Sequence, residues 1–479
     1  MTTRTRAQPT ASQAAHPRRW AAATVMMAAA LMDLIDATIV NVALPTIRRD
    51  LHASGTSIEW VVSAYLLAFA AVLITAGRIG DVIGRKRMFL AGVLTFGLAS
   101  LACGLARDPG ELIAARVVAG GAAAVMLPQV LATLREVFTG KERGAAFGIY
   151  GAMGGIATAG GLLLGGVLTS ADIFGWGWRA IFLVNVPIAA AALAATIALV
   201  PETRSATPQR PDIAGMTLTA AGLVAIVYPL LEGQSLGWPA WTFGCMAAGL
   251  AAVAGVIATG RRRQRGGVAP LVPAGLLRAP AFTAGLLVQL AFAAGLQGFS
   301  LILALWLQSG QHYSPVRAGV TTVAFSVGAF LTAGLSIQLA AKLGRTILVI
   351  GGLLLAAGMY GVLIAAHHSG AGVDPWQLVP GLVVGGAGLG FLVVPLINVV
   401  LAAVPGKLAG GASGVFNTAQ QLGGAIGVAV VGSVFFGRLG PAGFTGAFTH
   451  AVPLAIGAFA ACAVLSLVLP RTAVSEAYE

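Results

Sequence analysis

The chain has 479 residues, of which 57% are hydrophobic and only 9% charged, against about 25% charged in ordinary soluble domains. That balance excludes a soluble globular protein. The net charge of +13 does not point to nucleic acid, because the basic residues sit in short segments between long apolar runs.

Apolar runs near the 20 residues needed to cross about 30 Å of hydrocarbon recur along the whole length. In chain order they cover 20–45, 57–79, 88–106, 111–134, 145–169, 180–200, 214–233, 239–260, 280–308, 316–340, 346–366, 376–402, 412–437 and 451–469. The pattern predicts an all-α polytopic membrane protein with fourteen transmembrane helices. Arginines precede the first run, as in a secretory signal. It is too long for a signal core and holds two acids, so it reads as an uncleaved helix.

Two Pro/Arg-rich breaks, PETRSATPQRPD (201–212) and RRRQRGGVAPLVPAGLLRAP (261–280), bracket two of the runs and leave six on either side. The expected plan is a six-helix bundle over 1–200, a linker with two inserted helices over 201–279, and a second six-helix bundle over 280–479. Repeated halves are how transporters build a central site that can face either side of a membrane. With the N-terminus in the cytoplasm, 22 of the 29 Lys and Arg fall on the cytoplasmic side, 6 outside, and Arg116 inside a helix. The positive-inside rule therefore predicts a multi-pass protein of the cytoplasmic membrane with both termini cytoplasmic. The cluster Arg261, Arg262, Arg263 and Arg265 reads as an orientation signal beside anionic membrane lipids.

Cys103, Cys245 and Cys462 are too scattered for a metal site, and the six histidines fall in predicted tails or loops. No Gly-x-x-x-x-Gly-Lys-Ser/Thr phosphate loop is present, and no cofactor or metal is expected.

Asp33 and Asp36 lie mid-helix in the first run, three residues apart and so on one face. Each carboxylate costs roughly 2.5–3.5 kcal/mol at a bilayer centre on insertion scales. A buried carboxylate beside a second one can take a proton at ordinary pH and release it when an opposite charge arrives. Arg116 enters the fourth run from the outside, and a buried cation needs a partner. Depth along the two helices makes Asp36 its first candidate. Uncharged polar groups at mid-span are candidates to line a substrate cavity: Asn41 and Tyr65 early in the chain, then Gln289, Gln297, Asn398, Asn417, Gln420 and Gln421. Glu232 falls at the outer end of the seventh run, where water can reach it. In the fifth run Gly161, Gly165 and Gly166 suit close helix packing. In GRIGDVIGRKR (77–87), Gly77 and Gly84 permit a tight turn and Asp81 can pair with Arg85 or accept from a helix N-terminus.

GRIGDVIGRKR also resembles the loop 2–3 signature of the major facilitator superfamily. LIDATIVNVALP (34–45) resembles the first helix of its drug:proton antiporter-2 branch, whose members have fourteen spans. RVVAGGAAA (116–124), GWRAIFLVNVP (177–187) and GASGVFNTAQQLGGAIGVAVVG (411–432) match further family motifs. Ala119 stands where the family usually has Gln, Gln420 where it has Arg, and Gly161, Leu162, Gly165 and Gly166 supply the fifth-helix motif without its proline. The resemblance implies that Gly77, Asp81, Gly84, Arg85 and Arg87 latch the two halves on the cytoplasmic side while the outside is open. It implies that Asp33, Asp36 and Arg116 handle the coupling proton. The expected activity is proton-coupled export of hydrophobic or cationic drugs by a monomer driven by the proton gradient. The alternative is proton-coupled movement of a lipid, a secreted metabolite or a nutrient on the same scaffold.

Overall fold

Caps and glycines decide where the helices start and stop. α1 (Arg19–Asp50) has 32 residues, about 48 Å at 1.5 Å per residue. α2 (Gly55–Ile83) starts on Ser54, whose hydroxyl accepts from the Ser57 amide at 3.0 Å, and stops at Gly84, whose φ of +121° suits glycine alone. α3 (Arg85–Leu105) follows at once. α4 (Pro109–Val137) is capped by Asp108, with proline in its first turn where the missing N–H costs nothing. After α5 (Gly140–Ala171), the short α6 (Ala180–Leu183) and α7 (Asn185–Leu199) belong to one apolar segment, Gly177–Leu199.

α8 (Ile213–Glu232) and α9 (Ala240–Arg265) form the inserted hairpin. Asp212 caps α8 by accepting from the Gly215 amide at 2.8 Å, and both its oxygens receive Arg263 Nη1 of α9, at 2.8 and 2.7 Å. A parallel two-residue pairing of β1 (Arg210–Pro211) with β2 (Val268–Ala269) ties the linkers before and after the hairpin together. Among the described residues this pairing is the departure from the predicted all-α chain.

α10 (Pro280–Leu305) runs into a π-helical turn, Trp306–Gly310. α11 (Pro315–Leu343), α12 (Thr346–Ser369), α13 (Pro375–Ala402) and α14 (Ala409–Ser466) complete the chain. α14 has 58 residues, far beyond one crossing, and breaks at Gly443, where φ is 65° and ψ −178°. His367 and His368 close the last turn of α12 and His450 lies within α14, so these three are helical and not in loops.

The computed structural model describes residues 19–172, 175–204, 210–265, 268–273, 275–369, 372–405 and 408–470. His16 and the rest of the predicted tails 1–18 and 471–479 lie outside them, as do 205–209, 266–267 and 274 of the predicted linkers. Among the described residues twelve helices are long and apolar enough to cross a membrane. α14 counts once there, and the described apolar part of α5 is the shorter stretch Ile156–Ala171.

The packing repeats. α1 on α5, α2 on α4, α3 on α4 and α3 on α7 are echoed by α10 on α14, α11 on α13, α12 on α13 and α12 on α14. The two sets meet where α2 packs on α14 and α5 on α11, and α8 leans against both α2 and α14. Each set has its own buried aromatics, such as Phe89, Phe96 and Phe182 in the first and Trp306 stacked on Phe448 at 4.3 Å in the second.

Candidate functional site

Close helix approach builds the polar centre of the first set. A Cβ at Gly120 of α4 would run into the Tyr65 backbone carbonyl of α2, so glycine there lets the two helices nearly touch. One turn earlier on α4, the Arg116 guanidinium lies over the Tyr65 ring, 4.1 Å from its centroid. Arg116 Nη1 donates to Asp36 Oδ2 at 2.6 Å and Nε to the Val61 carbonyl at 3.2 Å. The Asn185 amide, where α7 begins, donates to the other oxygen, Asp36 Oδ1, at 2.9 Å, with Ser100 Oγ of α3 at 3.4 Å. Asp36 and Arg116 are 1% and 2% exposed. Removing one member of such a buried pair leaves an uncompensated charge, so the two hold each other in place.

Asp33 is held differently. It is also buried, and its Oδ1 accepts from the Tyr65 hydroxyl. Among the described residues no cation lies within ion-pair distance of it. Tyr65 thus spans both acids, bonding one through its hydroxyl and carrying the other's partner on its ring. The two aspartates are chemically unequal: Asp36 has a cation and an amide, Asp33 a single phenol.

The depth argument from sequence joins Arg116 to Asp36, and these two side chains are in contact. Tyr65, a cavity candidate from the sequence, bonds Asp33 through its hydroxyl. Asn185 and Ser100 were not singled out. A lone amide in FLVNVP gives no sign of its partner until the break between α6 and α7 turns it toward Asp36.

The loop 2–3 residues pair with α4 and with the linkers on either side of the hairpin. Arg85 bonds Asp81 at 2.9 Å and also Glu136 of α4. Glu202 accepts from the Lys86 amide at 3.1 Å and lies 3.7 Å from Arg87. Gly77 abuts Pro128 of α4, and Gly84 faces Glu202. Toward the second set, Arg78 donates to the Pro270 carbonyl at 2.5 Å.

The cavity candidates stay dispersed. Asn41 and Gln289 are buried, Gln297, Asn417 and Gln421 half-buried, and Asn398 and Gln420 exposed. Among the described residues no hydrogen bond joins any two of them, and Asn417 bonds its own helix at Ser413. Gln297 of α10 and Leu66 of α2 converge on Gly424 of α14, so this one candidate reaches the seam between the sets. Gly161 and Gly165 of α5 face Thr38 and Ile39 of α1, whereas Gly166 meets Pro315 and Val316 of α11. Gly319 of α11 meets Leu162, but Gly144, Gly148 and Gly154 of α5 and Gly334 of α11 border open space. α5 and α11 therefore touch around Leu162, Gly166 and Gly319.

A family profile described as the Major Facilitator Superfamily matches residues 26–428. The chain belongs to this superfamily. It is a family of multi-pass membrane transporters, not of enzymes. This facilitator chain is 43% identical over 429 residues to the probable actinorhodin transporter of Streptomyces coelicolor, across 89% of this chain and 74% of that one. It is 38% identical over 477 residues to the puromycin resistance protein pur8 of Streptomyces alboniger, across 96% and 93% of the two chains. A solved POT family transporter in complex with 5-aminolevulinic acid superposes with a TM-score of 0.66 at 15% identity, covering 93% of this chain and 96% of that one. At that identity the likeness is one of fold. A two-set helical plan is thus common to the solved transporter and this superfamily member.

Proposed function

We propose that the protein is a proton-coupled antiporter that exports hydrophobic or cationic drugs across the cytoplasmic membrane. The observation that carries this reading is the inequality of the two buried aspartates. Asp36 is locked in an ion pair with Arg116, while Asp33, among the described residues, accepts only a phenol hydroxyl and is the acid able to gain and lose a proton without breaking that pair. The printed names of the relatives, an actinorhodin transporter and a puromycin resistance protein, support export of bulky organic compounds. One proton per drug suffices energetically: one pH unit is worth about 1.4 kcal/mol and 100 mV about 2.3, together enough for roughly a 500-fold gradient of a neutral compound.

The chain crosses the membrane fourteen times in this reading, with α5 and the two arms of α14 counted separately. The bundles are 1–200 and 280–479, with the hairpin of 201–279 leaning on their seam. Both termini are cytoplasmic. The end where α1 meets α2 is then outside, and contacts there support an outward side that is shut: Gln308 donates to the Val42 carbonyl at 2.7 Å, Gly55 packs on Phe436, and Gly166 on Pro315. The open space beside Gly144, Gly148 and Gly334 supports a cleft facing the cytoplasm, and Arg85, paired with Asp81 and Glu136 of its own bundle, supports a latch that is released in this state.

The test is efflux from proteoliposomes that hold the protein and a fluorescent lipophilic cation, with a pH gradient imposed across the membrane. Uphill movement that follows the gradient and disappears with an uncoupler is expected. Movement that ignores the gradient would remove proton coupling from the account.

A further inference from the structure

Glu59 sits one turn into α2, is 1% exposed, and its Oε2 has no hydrogen-bond partner among the described residues. It is not part of the Asp33–Asp36–Arg116 centre. Its neighbourhood includes the second bundle and the inserted hairpin. α14 of the second bundle meets it through Gly432, where a Cβ would run into the Glu59 carboxylate. α8 of the hairpin brings Glu232 against the next residue of α2, Trp60. Glu232 is engaged elsewhere: it accepts from Trp60 Nε1 at 3.0 Å and from Ser235 Oγ at 3.1 Å. Arg48 of α1 stands over the Phe436 ring of α14 at 5.3 Å and makes no ion pair with Glu59. Glu59 is therefore a buried carboxyl one residue from the Trp60 that bonds another acid, and among the described residues it makes no ion pair.

An ionised carboxylate without cation or donor cannot be buried at tolerable cost, so the group stays neutral instead. Its position makes that neutrality depend on conformation. Glu59 and Gly432 lie on opposite bundles, at the end where Gly55 also packs on Phe436. Separating the bundles there would admit water to the carboxyl and permit it to ionise.

We infer that Glu59 is a second proton-binding site, occupied while the outer end of the α2–α14 seam is closed and vacated when that seam opens. The inference rests on the rocking of two bundles and the sidedness proposed above, but not on Asp33 as the coupling acid. The proton comes from and returns to the outer aqueous phase, with Gly432 leaving room for the carboxyl group. Glu59 is a positioning residue for the outer gate and makes no contact with the drug.

The test uses the full chain with Cys103, Cys245 and Cys462 replaced and spin labels at Thr56→Cys and Arg438→Cys, one on each side of the seam. Interlabel distances are read from pH 5 to pH 9, together with infrared pH-difference spectra of the carboxylic C=O stretch. The expected result is a seam that is short at low pH and lengthens as pH rises, with one protonated-carboxyl band lost over the same range. Glu59→Gln, which mimics the neutral acid, should stay short throughout and lack that band. Glu59→Asp should keep a pH response. A Glu59→Gln protein that still opens with pH, or a parent that shows no pH response, overturns the inference. Failure of the antiport reading shows separately, as drug binding without proton release in a parent whose seam still responds to pH.

Discussion

Asp36 and Asp33 should part company on substitution. Asp36→Asn leaves Arg116 buried without a counter-charge, a loss of about 3–5 kcal/mol for a broken buried pair. Asp33→Asn keeps an oxygen for the Tyr65 hydroxyl and removes no ion-pair member, so thermal unfolding in detergent should change little. Greater destabilisation by Asp33→Asn would reverse the two roles. Tyr65→Phe keeps the ring under Arg116 but deletes the donor to Asp33. A hydrogen bond to a charged group is worth about 1.5–3 kcal/mol, so drug counterflow should slow by roughly tenfold to a hundredfold with the fold intact. An unchanged rate would leave Tyr65 as packing alone. At this scale the sequence is legible where a physical demand has one answer: a cation inside a helix needs an acid, and Asp36 lies deeper but within reach of a long Arg side chain. Glu59 was not legible. Near a helix start it resembles an ordinary interfacial acid, and its burial comes from α8 and from Gly432, far along the chain.

Glycines set the distances between helices. Gly120→Ala drives a Cβ into the Tyr65 carbonyl, whereas at neighbouring Gly121 the added Cβ meets only Val72, at 4.0 Å. Overpacking costs about 1–3 kcal/mol, so Gly120→Ala should lower the melting temperature and abolish efflux, while Gly121→Ala behaves as the parent. Equal behaviour of the two would separate α2–α4 spacing from the Asp36–Arg116 geometry. Hydropathy locates the helical segments well, because twenty apolar residues in lipid leave the backbone little choice but a helix. It does not show that α14 runs on through Gly440 to its break at Gly443, nor that β1 and β2 pin the hairpin, since both depend on backbone contacts and not on composition.

For the whole molecule, the proposed sidedness makes opposite demands on three exposed positions. Single cysteines at Arg107, between α3 and α4, and at Ala442, beside the α14 break, should react with an impermeant maleimide from outside intact cells. One at Arg87 should react only after permeabilisation. Labelling of Ala442→Cys only after permeabilisation would contradict the separate crossing by each arm of α14. In the proposed antiport cycle the repeat of packing pairs would let one buried centre serve an alternating cleft, with α2–α14 and α5–α11 as the seams that part. The sequence shows this repeat faintly, because packing pairs are conserved in geometry and need no shared residues.

The most direct measurement is drug-induced proton release from purified protein in weak buffer near pH 7, comparing the parent with Asp33→Asn and with Tyr65→Phe. A panel of lipophilic cations and neutral drugs supplies the ligand. The account predicts about one proton released per drug bound by the parent and none by Asp33→Asn, which still binds. Undiminished release from Asp33→Asn would contradict it and move the exchangeable proton elsewhere in the protein.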